Sequence, residues 1–332
     1  MLNSNPSRIV FFSSLILGII IAISSNSWFT SWLGLELNLL SFIPIISSSF
    51  NSYSSEAALK YFLIQALGSV IILISATSMT LFLINPNLLI LGSLLLKMGA
   101  APIHFWFPPI MQGISWTHCI ILMTLQKIAP LILVSYTLIS PLSNLVIQIS
   151  SALSALVGAI GGLNQTLTRK ILAYSSINHM AWMLAAILIS SDMLFTYLLI
   201  YSIVSSSVVF LFNTNQVFHL KQMSSIPATK MKALSFLALF SLGGLPPFLG
   251  FIPKLLMISL LSSSKEFMWL IFLLGSSLIT LFYYTRIILT TLTLSSPKIK
   301  LSMSNKTSTL PYALAFINFT PLLFPLLSFY QA

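Results

Sequence analysis

Four charged side chains, Glu36, Lys97, Lys127 and Lys254, sit deep inside otherwise apolar stretches. An ion in hydrocarbon costs at least about 2.5–3.5 kcal/mol on insertion scales, so such residues point to function. The chain has 4 acids and 15 Lys or Arg in 332 residues. Placing several of so few charges at membrane depth points to ion handling, most simply of protons. A buried ammonium loses its hydration, and a neighbouring carboxylate restores part of the lost stabilisation. Lys97, Lys127 and Lys254 are therefore candidate proton carriers. Glu36, in Trp32-Leu33-Gly34-Leu35-Glu36-Leu37-Asn38, is the mid-span carboxylate and the obvious counter-ion. Its approach or departure gives an electrostatic route to proton loading and release. The competing readings are lysines that snorkel to a span end and a purely structural ion pair.

His179 and His104 are candidate relay members, because imidazole changes charge near neutral pH. A hydrogen-bonded packing role stands equally open for both. His118 opens a span and His219 lies at a loop edge, so both read as interfacial, as do Glu56 and Lys60 at a span start. Tyr174, Ser175, Ser176, Asn178 and Gln126 suit either a water file or polar contacts between helices.

Hydrophobic residues make up 57% of the chain and charged ones 6%, with a mean hydropathy of +1.00. A soluble domain carries roughly a quarter charged residues, so this composition cannot clothe a water-facing surface. The chain reads as an all-α, polytopic, single membrane domain (1–332). The net charge of +11 fits a positive-inside bias rather than nucleic-acid binding. Cys119 is the single cysteine, which excludes an internal disulfide and a Cys-rich metal or iron–sulfur site; it reads as a small buried residue. There is no GxGxxG and no phosphate loop, so no nucleotide site is expected. The histidines do not cluster with acids at metal-ligand spacing. No secretory leader or transit peptide is expected ahead of the first span.

Hydropathy and breaker residues predict about eleven spans: 9–25, 28–48, 57–84, 88–112, 116–140, 143–163, 169–189, 193–218, 232–262, 267–291 and 310–330. With that count, Arg8, Lys60, Arg169, Lys170, Lys221, Lys230, Lys232, Lys298, Lys300 and Lys306 share the side of the N-terminus. Lys265, with Glu266 and Asp192, falls on the other. The basic side is the cytoplasm or a mitochondrial matrix, and the C-terminus faces the opposite compartment. Asn305-Lys306-Thr307 lies on the basic side, where glycosylation is not expected.

Two spans are interrupted, one at Pro102 and one at Gly243, Gly244, Pro246 and Pro247. Proline removes a backbone donor, and free backbone groups at membrane depth need protein or water to satisfy them. Lys97 and Lys254 accompany these breaks. The breaks fall in the fourth and ninth spans, so the pattern reads as two inverted five-helix repeats, about 9–140 and 143–291, each with one discontinuous helix. An extra helix follows at 310–330. An ion site near the midplane fits that layout.

With these residues in view, the chain resembles the antiporter-like membrane-arm subunits of mitochondrial NADH:ubiquinone oxidoreductase, respiratory complex I. The resemblance runs over most of the chain. It is carried by Trp32 to Asn38, Glu56-Ala57-Ala58-Leu59-Lys60-Tyr61-Phe62, Lys97-Met98-Gly99-Ala100-Ala101-Pro102-Ile103-His104-Phe105-Trp106, Trp116 and Gln126-Lys127-Ile128-Ala129-Pro130. Gly161-Gly162-Leu163-Asn164-Gln165, Arg169 to Met180 and Gly243 to Lys254 complete it. The resemblance implies a charged mid-membrane axis of Glu36, Lys97, Lys127 and Lys254, along which protons move as quinone is reduced elsewhere. It implies an enzyme role as a subunit, with no redox chemistry and no cofactor in this chain. NADH, FMN, iron–sulfur clusters and ubiquinone would belong to partner subunits. Implied partners are neighbouring antiporter-like subunits and lipids such as cardiolipin, in the mitochondrial inner membrane, with the N-terminus in the matrix and the C-terminus in the intermembrane space. The alternatives are a free-standing cation/proton antiporter subunit and a scaffold that pumps nothing. The sequence departs from the pattern at Pro109, where Glu is usual, and at Gln112, where a related chain often has an acid.

Overall fold

A lipid-embedded backbone must satisfy its own polar groups, and these sequences do so as helices. The computed structural model describes residues 6–47, 51–82, 86–138, 140–224, 226, 229–293 and 318. The helices are α1 Pro6–Ile23, α2 Trp28–Ser47, α3 Ser52–Phe82, α4 Asn87–Met98, α5 Phe107–Gly113, α6 Trp116–Met123, α7 Leu125–Ser135, α8 Pro141–Leu163, α9 Thr168–Ile189, α10 Ser191–Thr214, α11 Leu220–Ser224, α12 Thr229–Gly243, α13 Phe251–Ser263 and α14 Phe267–Thr293. Among the described residues, eight stretches, with α6 and α7 taken together, are long and apolar enough to cross a membrane, while α4, α12 and α13 are shorter apolar helices. Each expected span from 9–25 to 267–291 overlaps one or more of these helices. The expected span 310–330, with Lys298, Lys300, Asn305 and Lys306, lies outside the described residues apart from Asn318.

Helix α9 is the hub. Its residues from Ile171 to Ile187 are almost all buried, and α5, α7, α8, α10, α13 and α14 pack around it. A helix that is apolar on every face belongs inside the protein, so the few polar groups α9 carries, Ser175, Ser176, Asn178 and His179, are held in the interior. Close helix approach is set by missing side chains. At Gly158 of α8, an added Cβ would fall 2.6 Å from the Asn178 backbone nitrogen. Small residues at such crossings let backbones meet where lipid supplies no hydrophobic drive.

Two arginines tie helix ends on the N-terminal side. Arg286 donates from Nη1 to the Leu163 carbonyl and from Nη2 to that of Gln165 at 3.1 Å, serving orphan acceptors at the end of α8. Arg169 donates to the Ile114 carbonyl and lies over the rings of Phe218 and Trp116, 4.9 and 5.8 Å from their centroids.

The stretch expected as one continuous span, 116–140, is interrupted. Thr124 separates α6 from α7, its Oγ1 donating to the Ile120 carbonyl at 2.7 Å. Pro130 lies inside α7 and has no N–H for the Gln126 carbonyl. The expected start of the third span at 57 is also too late: α3 begins at Ser52, which puts Glu56 and Lys60 inside the helix.

Candidate functional site

The two expected breaks are built alike. Gly99 closes α4 at φ +73°, its N–H on the Leu96 carbonyl, while the Ala100 N–H reaches the Leu95 carbonyl. Gly244 follows α12 at φ +76°, its N–H on the Phe240 and Ser241 carbonyls. Glycine takes this left-handed conformation without a Cβ penalty. Pro102 lies in the first loop, and Pro246 and Pro247 in the second. Gly243 is the final residue of α12.

Lys97 lies in the last turn of α4, 6% exposed. Its backbone carbonyl accepts from Gln65 Nε2 at 3.1 Å, and Trp106 Nε1 donates to the Leu96 carbonyl at 3.1 Å. Gly68 leaves room for the lysine stem: an added Cβ there would lie 3.1 Å from Lys97 Cγ. Tyr61, Gln65 and Gly68 share one face of α3 at i, i+4 and i+7, and that face is the ledge under Lys97.

Lys254 lies past its break, in the first turns of α13. Its Nζ reaches back to the Gly243 carbonyl at 2.9 Å and caps α12. The negative end of a helix dipole favours a cation there. Lys127, 3% exposed, follows the Thr124 interruption. Its Nζ donates to the Ser176 carbonyl at 3.2 Å and lies 5.3 Å from the Phe107 ring centroid and 5.5 Å from that of Tyr201. Aromatic faces stabilise a desolvated cation. All three lysines thus stand at helix interruptions.

Glu36, the expected counter-ion, is not in contact with a lysine among the described residues. Among the described residues, no ion pair within 4.0 Å joins it to a lysine; Lys60 and Glu56, both well exposed, make one at 2.5 Å. The Glu36 charge instead acts at longer range on Lys97 and on Tyr61, and its Oε2 is buried with no hydrogen-bond partner.

His179 lies within electrostatic reach of both Lys127 and Lys254. Its Nδ1 lies 3.0 Å from Tyr197 Oη, and its ring packs 4.9 Å from that of Tyr201. A cavity of about 10 Å³ beside His179, Tyr201, Leu242 and Gly250 is at the lower limit for one water. His104 is held locally, its Nδ1 3.1 Å from the Pro102 carbonyl and its ring against Phe105. The structure therefore brings His179 to the lysines but leaves His104 bonded within its own loop. His118 contacts Ser115 Oγ at 3.1 Å, and His219 bridges to Leu167.

Gln65, Tyr197 and Tyr201 are polar companions that sequence reasoning missed. Their signal was spacing: 61, 65 and 68 on α3, and 197 and 201 on α10, each falling on one helix face. A larger cavity, about 560 Å³, lies on the N-terminal side against Glu56, Lys60, Gln112, Arg169 and His219. Pro109, where the sequence departs from the pattern, also lines it. Among the described residues, no group of three His, Cys, Asp or Glu could hold a metal ion.

The sequence model of the family described as NADH:quinone oxidoreductase/Mrp antiporter, TM, matches residues 25–88 and 76–280. NADH-ubiquinone oxidoreductase chain 2 of Anopheles gambiae is 46% identical over 332 residues, covering 94% of this chain and 95% of its own. The protein of the same name from Locusta migratoria is 42% identical over 293 residues, covering 86% and 85%. A chain of respiratory complex I from Thermus thermophilus with bound aureothin superposes with a TM-score of 0.82 at 23% identity, over 97% of this chain and 79% of that one. A chain of the Mrp complex from Dietzia sp. gives 0.78 at 16% identity, over 94% and 74%. These two likenesses show a shared fold.

Proposed function

The chain belongs to the NADH:quinone oxidoreductase/Mrp antiporter membrane family, and we propose on that premise that it is a core membrane-arm subunit of NADH:ubiquinone oxidoreductase, respiratory complex I. It carries protons across the mitochondrial inner membrane while electrons pass from NADH to ubiquinone in partner subunits. FMN, iron–sulfur clusters and the quinone belong to those subunits; one buried cysteine cannot furnish the thiolates of a cluster. The partners are neighbouring antiporter-like subunits and membrane lipids such as cardiolipin.

One observation carries the reading: three buried lysines at three helix interruptions, with His179 within electrostatic reach of two of them and none of the three neutralised by direct contact with Glu36. A solvated or tightly paired lysine has little reason to give up its proton. A buried one, held by a carbonyl or by Glu36 at a distance, responds to small changes in its surroundings. A change of charge at Glu36 alters how firmly Lys97 holds its proton. Lys127, His179 and Lys254 continue the row through the interior, with His179 lining the small cavity. His104 is a further candidate, its link to the row requiring movement of the first break.

The finer architecture is part of the same proposal. Eleven spans are arranged as two inverted five-helix repeats, about 9–140 and 143–291, with an extra helix at 310–330. The matching glycine-closed breaks at α4 and α12 support that arrangement. The basic loops support an N-terminus in the matrix and a C-terminus in the intermembrane space. Purification under mild detergent tests subunit membership: the chain should co-migrate with rotenone-sensitive NADH:ubiquinone activity in a very large assembly. Recovery as a separate cation/proton antiporter, active without NADH, would overturn the reading.

A further inference from the structure

Three buried or half-buried polar side chains from three helices form a hydrogen-bonded line that the lysine row does not account for. Tyr61 Oη of α3 donates to Gln126 Oε1 of α7 at 3.1 Å, and Gln126 Nε2 donates to Asn38 Oδ1 of α2 at 2.9 Å. Tyr61 and Asn38 are 2% and 3% exposed. Each member neighbours a residue of the charged row. Asn38 is two residues beyond Glu36, Tyr61 shares the α3 ledge under Lys97, and Gln126 immediately precedes Lys127. The Glu36 charge acts on Tyr61 directly.

The line is directional. A hydroxyl donates to an amide oxygen, and the amide nitrogen donates onward to a second amide oxygen. Gln126 is thereby fixed in the first turn of α7, just after Thr124 breaks the helix. An α-helix's first turn has unsatisfied backbone donors and is easily shifted when nothing pins it. We propose that Gln126 is a positioning residue: through Tyr61 and Asn38 it ties the start of α7, and with it Lys127, to the charge state of the Glu36–Lys97 pair. A carboxylate at Glu36 weakens the Tyr61 hydroxyl as a donor, and loss of that charge tightens its hold on Gln126. Lys127 then takes a different stance toward the Ser176 carbonyl. Hydrogen-bonded chains in a low-dielectric interior transmit polarisation in this way. The amide carries no proton itself; it sets where the ammonium stands. The inference rests on the proposed proton-carrying role of the row.

The test uses the assembled complex in membrane vesicles, with Tyr61→Phe, Gln126→Met and the double variant, and Lys254→Met as control. Turnover and proton uptake are read per assembled complex across pH. Tyr61→Phe, which removes one hydrogen bond, is expected to lower coupled turnover about fivefold and to move the pH profile, and Gln126→Met, which removes two, to lower it further. The double variant should match Gln126→Met rather than multiply the two effects. Should Gln126→Met fail to assemble, Tyr61→Phe, which removes one oxygen, decides alone. A wild-type pH profile and turnover, or effects that multiply, would overturn the inference while Lys254→Met still abolishes pumping. If Lys254→Met also pumps normally, the proton-carrying reading falls, and this inference with it.

Discussion

Substituting Gly244 by alanine separates the geometry of the second break from its composition. The φ of +76° places an L residue in the left-handed region at a cost of about 1–2 kcal/mol. The added Cβ would stand 2.9 Å from Lys254 Cδ and 3.0 Å from its Nζ. The lysine tip is the flexible partner, so it gives way and leaves the Gly243 carbonyl, losing a charged hydrogen bond worth about 1.5–3 kcal/mol. Together these disfavour the capped arrangement by roughly 2.5–5 kcal/mol, where about 1.4 kcal/mol is a factor of ten. Gly243→Ala is the matched control. Its Cβ would meet Tyr284 Cδ2 at 3.5 Å, an ordinary contact. NADH-driven proton uptake in vesicles, normalised to assembled complex, should fall at least tenfold for Gly244→Ala and less than twofold for Gly243→Ala. Equal effects from the two, or unchanged pumping by Gly244→Ala, would refute the placement of Lys254 on α12.

Other substitutions extend the account. Lys60→Gln should change turnover and stability little, under about 1 kcal/mol, because its pair with Glu56 is exposed; thermal inactivation of the complex measures this. Gly158→Ala should force α8 away from the Asn178 backbone, cost about 1–3 kcal/mol and lower the amount of assembled complex on native gels. His179→Leu should depress pumping per complex several-fold, whereas Tyr197→Phe, which keeps the ring, should act more weakly; parallel uptake assays rank them. Arg286→Met should release the carbonyls of Leu163 and Gln165 and reduce assembly without altering the pumping of complexes that form.

The spans and the two breaks were legible because both signals are local. Apolar runs declare helices, and Gly99, Pro102, Gly244 and Pro246 declare where a helix cannot continue. Buried lysines declared themselves by chemical type. The interruption at Thr124 was not legible, since no glycine or proline marks it and Pro130, six residues on, sits inside a helix without ending it. The distance between Glu36 and the lysines could not be read either. It is set by how α2, α3 and α4 pack, and the outcome is action at range rather than contact. The same holds for the Tyr61–Gln126–Asn38 line, whose members come from three helices, 65 and 88 residues apart in sequence. His179 and His104 looked alike in sequence; the burial of α9 beside two lysines distinguishes the first from the loop-bound second.

The central claim is that the buried charges move protons. Protons taken up per NADH oxidised should be measured in vesicles carrying Lys254→Met or Glu36→Gln, with assembly checked on the same membranes. The account predicts that the complex assembles while pumping and coupled turnover fall together. Unchanged pumping by an assembled variant would contradict it and leave these charges a structural role.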